Sequence, residues 1–200
     1  MAEIKRYVTP VFRLSYPNVF VPRAAKKGGD PKYGLSAIWT PSKFTDKEKV
    51  LWKAILKALD EEAQTRFKKP FKSLPANIKR GLRNGNEKPE LEGYGEGTIF
   101  ASVTSKMAPG VIDRNKNTIS PDEGNADEIY PGCYCRATVT VYGYDNEGKG
   151  LALGLMNLQK VKDGTRLDSR TNAAEDFEDD LGDGDEDDNL LDQDDGSDPF

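Results

Sequence analysis

The sequence predicts a mainly β body, a small barrel with one long helix inserted, followed by a tail that takes no part in it. Three observations carry this. Segments rich in Val, Ile, Tyr, Phe and Thr lie before residue 45 and again after residue 97. A single capped run with four-residue periodicity lies between them, so strands and helices do not alternate as in a parallel α/β sheet. The last thirty residues hold 14 of the chain's 34 acidic residues and none of its 29 basic ones.

That division changes the meaning of the overall charge of −5. Residues 1–170 keep 29 basic against 20 acidic residues, or +9, and residues 171–200 carry −14. A body of that sign calls for a polyanionic partner, although surface charge also serves solubility. No apolar run is long enough for a signal peptide or a membrane span, so a cytoplasmic protein with no membrane partner is expected. Cys133 and Cys135 stand two apart on one expected strand with sulfurs poorly placed to bridge, and no disulfide framework is expected.

The first strands run over Tyr7–Val21 and Tyr33–Thr40. The basic, glycine-containing turn between them, Arg23 to Pro31, offers Lys26 and Lys27 for phosphate contact; the alternative is a plain solvated loop. Thr45-Asp46-Lys47-Glu48 fits a capping box, and the spacing predicts a helix from Asp46 to about Phe67 with Leu51, Ile55, Leu59 and Ala63 toward the core. A second short helix is expected from Pro75 to Arg83, closed by Asn84-Gly85. From Lys68 to Arg83 the chain is basic and free of acids, which makes Lys68, Lys69, Lys72, Lys79, Arg80 and Arg83 candidates for phosphate contact or a solvated face.

Later strands are expected over Thr98–Thr104, Cys133–Tyr144 and Leu151–Val161, with a long polar loop from Ala108 to Glu128. Five strands with one helix in a connection fit an OB-fold, whose exposed strand face and loops bind oligonucleotides; a β-sandwich has similar strand counts. Along the Tyr134–Tyr144 strand one face is small and apolar, while the other carries Tyr134, Arg136, Thr138, Thr140, Tyr142 and Tyr144. Tyr134, Tyr142 and Tyr144 there suit base stacking, worth about 1–3 kcal/mol per base, with Arg136 on a phosphate. Equally, such tyrosines cover a helix or pair across a sheet. Phe100 is a further stacking candidate. Trp39, sharing a face with Leu35, reads as core or as a stacking residue.

Catalysis finds little support: the chain has no histidine, and its body carboxylates are scattered. No catalytic residue, metal or cofactor is expected. The tail reads as disordered, and thirty flexible residues span about 30 Å, enough to reach a basic groove on the body. Its end, Asp198-Pro199-Phe200, joins an aromatic ring to a free carboxylate, a tip suited to docking on a partner protein.

Tyr130-Pro131-Gly132-Cys133-Tyr134, then Gly154-Leu155-Met156-Asn157-Leu158-Gln159-Lys160-Val161 and Asp163-Gly164, resemble bacteriophage single-stranded DNA-binding proteins over most of residues 1–165. The resemblance implies an OB-fold, nonspecific binding of single-stranded DNA, and a role in phage replication, recombination or repair. The tail is similar to those of bacterial single-stranded DNA-binding proteins, which recruit replication and repair enzymes. In those tails an apolar residue precedes the Pro, where this chain has Asp198. The alternatives are an assembly factor or chaperone for basic proteins acting through the tail, and a carboxylate nuclease.

Overall fold

A computed structural model describes residues 4–24, 29–145 and 148–168. Its strands are Tyr7–Val8 (β1), Phe12–Arg23 (β2), Lys32–Trp39 (β3), Ile78–Lys79 (β4), Arg83–Asn84 (β5), Ile99–Ser105 (β6), Gly110–Ile112 (β7), Tyr134–Tyr144 (β8) and Lys149–Lys162 (β9), with one α-helix, Asp46–Phe67 (α1). Five of them close a ring in the order β8, β2, β3, β6, β9 and back to β8. All neighbours in the ring are antiparallel except β6 and β9. Closure pairs the long strands on both sides and makes this an OB-fold barrel.

Alternation along the strands fills the interior. Phe12 and Leu14 of β2, Leu35, Ala37 and Trp39 of β3, Ala101 and Val103 of β6, and Cys135, Ala137 and Val139 of β8 are all buried in one cluster. In β9 the inward set changes parity between Leu155 and Leu158, because a register shift opposite Thr138 and Val139 leaves Met156 as an extra residue.

Helix α1 starts and stops where the sequence signals it. Thr45 Oγ1 accepts from the Glu48 backbone N–H, while Glu48 Oε2 accepts from the Thr45 N–H at 2.9 Å. The helix buries Trp52, Ile55, Ala58, Leu59 and Ala63 against the barrel. Trp52 packs its ring 5.1 Å from Trp39 and 5.6 Å from Phe44, while Leu51 is only partly buried. Near the helix end, Glu62 Oε1 accepts the Gly143 N–H at 2.9 Å and so satisfies a donor on β8.

Two expectations are corrected. Pro75–Arg83 is not a helix: Ile78–Lys79 pairs parallel with β9 and Arg83–Asn84 antiparallel with β6. Gly81 turns the chain at φ 78° so close to β9 that a Cβ would lie 2.8 Å from the Leu151 carbonyl oxygen. Sheet pairing has overridden the local helical signal. The stretch Ala108–Glu128 is not structureless, since β7 pairs with β9 and Asp113 closes a turn on Asn117. The cysteines stay free, as expected, with their sulfurs 3.7 Å apart because residues i and i+2 share a face.

Candidate nucleic-acid interface

Outward residues on five adjacent strands stand opposite one another in a row: Tyr134 of β8, Arg13 of β2, Ile38 of β3, Phe100 of β6 and Arg83 of β5. Two segments cover part of this row. The turns after Gly85 bring Tyr94 edge-on to Phe100 at 5.1 Å and set the Lys88 ammonium between the rings of Tyr16, Tyr94 and Phe100 at 5.8, 5.3 and 5.2 Å. The residues leaving β9 form the second cover. Thr165 accepts a hydrogen bond from Arg13 at 2.8 Å, and the Leu167 N–H donates to Pro131 at 2.9 Å.

Tyr130 fixes that second cover. Its hydroxyl donates to Asp163 at 2.9 Å and accepts the Gly164 N–H at 3.1 Å. Lys160 bonds Asp163 at 2.8 Å and pairs with Glu128 at 3.6 Å. The Tyr130–Tyr134 and Asp163–Gly164 motifs therefore meet in space, where they anchor the chain as it leaves the barrel.

Beside the covered row an open groove of about 1280 Å³ runs from Ile38, Arg13 and Tyr134 to the start of α1. Among the described residues five cations line it, Arg13, Lys43, Lys47, Arg136 and Lys162, against one carboxylate, Glu48. The Glu48 oxygens are held by the Val11 and Thr45 N–H groups at 3.0 and 2.9 Å and by the Thr45 hydroxyl at 2.8 Å. Burial opposes its ionisation, but these bonds to Thr45 and Val11 keep its pKa below the ordinary carboxylate value. Among the described residues, Lys43, Lys47, Arg136 and Lys162 have no carboxylate partner; Arg136 bonds Gln159 at 2.7 Å instead. Lys162 sits 4.6 Å above the ring of half-buried Tyr134.

The candidate residues divide accordingly. Tyr134 and Arg136 line the groove. Lys68, Lys69, Lys72 and Lys79 are exposed beyond the other end of α1, and a 22-residue helix is about 33 Å long. Tyr142 and Tyr144 lie toward the far end of β8. Arg80 donates to the Leu74 carbonyl at 2.9 Å, and Arg83 bonds Glu87 at 2.8 Å and lies over Phe100, so both hold their own turns. Lys26, Lys27, Asp198, Pro199 and Phe200 lie outside the described residues.

Two stacking assignments are overturned by burial. Trp39 is 0% exposed, points into the barrel and donates its indole N–H to Pro10 at 3.3 Å. Phe100 points outward but is 1% exposed beneath Tyr94, Arg83 and Lys88. Arg13, Lys43, Lys47 and Lys162 are the groove cations the sequence reading passed over. Arg13 was signalled by its place between the inward Phe12 and Leu14, whereas no local pattern brings Lys43 and Lys47 together with it.

The family model for the ssDNA-binding protein of Enterobacter phage Enc34 matches residues 5–191. Protein p50 of Acyrthosiphon pisum secondary endosymbiont phage 1 is 34% identical over 154 residues, covering 76% of this chain and 80% of that protein. Among solved structures, the single-stranded DNA-binding protein from bacteriophage Enc34 in complex with ssDNA superposes with a TM-score of 0.68 at 23% identity, over 82% of this chain and 89% of that one. The single-stranded DNA-binding protein gp2.5 of bacteriophage T7 superposes with a TM-score of 0.54 at 13% identity, over 89% and 97%. The two structural likenesses show a common fold, and the match across nearly the whole sequence shows the family. This chain belongs to the family of the phage Enc34 single-stranded DNA-binding protein.

Proposed function

We propose that the protein binds single-stranded DNA without sequence preference in the groove between the barrel face and the start of α1, as a noncatalytic component of phage DNA replication, recombination or repair. The observation that carries this reading is the groove's charge: five cations face one carboxylate already held by three donors. Arg13, Lys43, Lys47, Arg136 and Lys162 take phosphates. Tyr134 takes a base once Lys162 swings from its ring to the backbone, and stacking on a ring tolerates any base. Family membership and the relative solved with ssDNA support the same reading.

The acidic residues of 171–200 act as a competing anion, and Asp198-Pro199-Phe200 recruits a replication or recombination protein. The opposed charges of +9 and −14 support this division of labour. Fluorescence titration with labelled strands tests the main reading: single strands bind more tightly than duplex, and equal affinity overturns it. Deleting residues 171–200 tightens binding at low salt, whereas unchanged or weaker affinity refutes competition.

A further inference from the structure

The outer face of β8 and β9 continues well past the groove. Beyond Arg136 it presents Thr138, Thr140, Tyr142 and Tyr144, and neither strand contains a single Asp or Glu, in a chain whose residues are 32% charged. At its far end Tyr142 is 41% exposed. Its ring lies against Gly154, where a Cβ would be 3.4 Å away, and the half-buried Tyr144 lies over Gly150 in the same manner. The parallel pairing of β4 with β9 sets Lys79 opposite Gly150 and Lys149 opposite Ile78. Both lysines are exposed and, among the described residues, neither has a carboxylate partner; the nearby Asp145 pairs with Arg66 at 3.9 Å. The outward Lys79 and the strand-end Lys149 thus stand at the same end of β8 and β9 as an exposed ring, much as Lys162 stands by the half-buried Tyr134 at the other end.

Eight residues separate Tyr134 from Tyr142, about 27 Å along a strand. A nucleic-acid strand stacked at about 3.4 Å per nucleotide needs about eight nucleotides to cover that distance, within the span of about 4–16 that OB-folds occupy. The surface between carries the Thr138 and Thr140 hydroxyls and no anion on either strand; the α1 carboxylates beside it, Glu61 and Glu62, are paired with Lys57 at 3.8 Å and Arg66 at 3.2 Å, which reduces their repulsion of a phosphate backbone.

We propose that Tyr142, Lys79 and Lys149 form a second contact for the same DNA strand, so that short oligonucleotides use the groove alone while longer ones engage both ends of β8. The inference rests on the groove being the primary site. The direct test compares oligothymidines of about 6 and about 20 nucleotides on the full-length protein and on the Tyr142→Ala, Lys79→Ala, Lys149→Ala triple variant, with thermal melts confirming the fold.

The expected result is a loss of about 10- to 100-fold on the long oligonucleotide, with a salt slope shallower by about 1.4 for two lost phosphate contacts, and short-oligonucleotide affinity within about twofold of the parent. Tyr142→Phe alone keeps the ring and the long-strand affinity. Unchanged binding of the long strand overturns the proposal, as does an equal loss at both lengths. Loss of bridging between two differently labelled strands, with long-strand affinity intact, also overturns it and assigns the patch to a second strand. Failure of the groove reading would be seen separately, as a Lys43→Ala, Lys47→Ala variant that binds the short oligonucleotide as the parent does.

Discussion

Removing Lys43 and Lys47 together isolates the electrostatic part of the groove. Both are exposed, neither has a carboxylate partner among the described residues, and neither contributes to the buried cluster, so their loss leaves the barrel intact. If each of the five groove cations neutralises one phosphate, log affinity falls against log salt with a slope of about −3.5, at about −0.7 per contact with single strands. The Lys43→Ala, Lys47→Ala variant retains three contacts and a slope of about −2.1. Between about 50 and 200 mM salt the parent therefore loses about 130-fold in affinity and the variant about 18-fold. Fluorescence anisotropy with a labelled oligothymidine of about six nucleotides, repeated at five or so salt concentrations, measures both lines. Parallel lines would refute the assignment, because they would mean that the two lysines touch no phosphate.

Other outcomes follow from burial and protonation. Trp39→Ala, which empties a fully buried site beside Phe12 and Trp52, should cost about 3–5 kcal/mol in denaturant unfolding, and any fall in DNA affinity should track the unfolded fraction. Affinity lost at full folding would restore the stacking role. The Lys160 ammonium and then the Tyr130 hydroxyl, both bonded to Asp163, hold that carboxyl below its ordinary pKa. A depressed folded-state pKa stabilises the protein above the unfolded value of about 3.9, and that contribution disappears as pH falls through the folded value. Asp163→Asn should therefore melt below the parent at neutral pH, and the gap should narrow below about pH 4; a gap independent of pH would show that charge is not its source.

Much of the barrel is legible in the sequence. Thr45 and Glu48 announce the start of α1 by a purely local exchange of hydrogen bonds, and period-two alternation along Tyr134–Tyr144 separates Cys135, Ala137 and Val139 from the outward tyrosines. Such signals lie within a few residues of one another. The stretch from Pro75 to Arg83 misled for the opposite reason: its local pattern is helical, but its backbone partners are β9 and β6, about seventy and fifteen residues further on. Trp52, three residues before Ile55 and seven before Leu59, lies on the same stripe, and a strict four-residue spacing picks Leu51 in its place.

The sequence alone determined that a basic β body precedes an acidic tail, that one capped helix interrupts the strands, and which faces of β8 point in and out. Charge, capping and alternation are properties of neighbouring residues, so they survive without a fold. Tertiary structure alone decided which candidates share a surface. An outward ring is available to a base only if nothing else covers it, and Phe100 is covered by residues from Arg83 to Tyr94. Arg13, Lys47 and Lys162, more than a hundred positions apart at their extremes, converge because the barrel closes, and closure is a long-range pairing that no local pattern encodes.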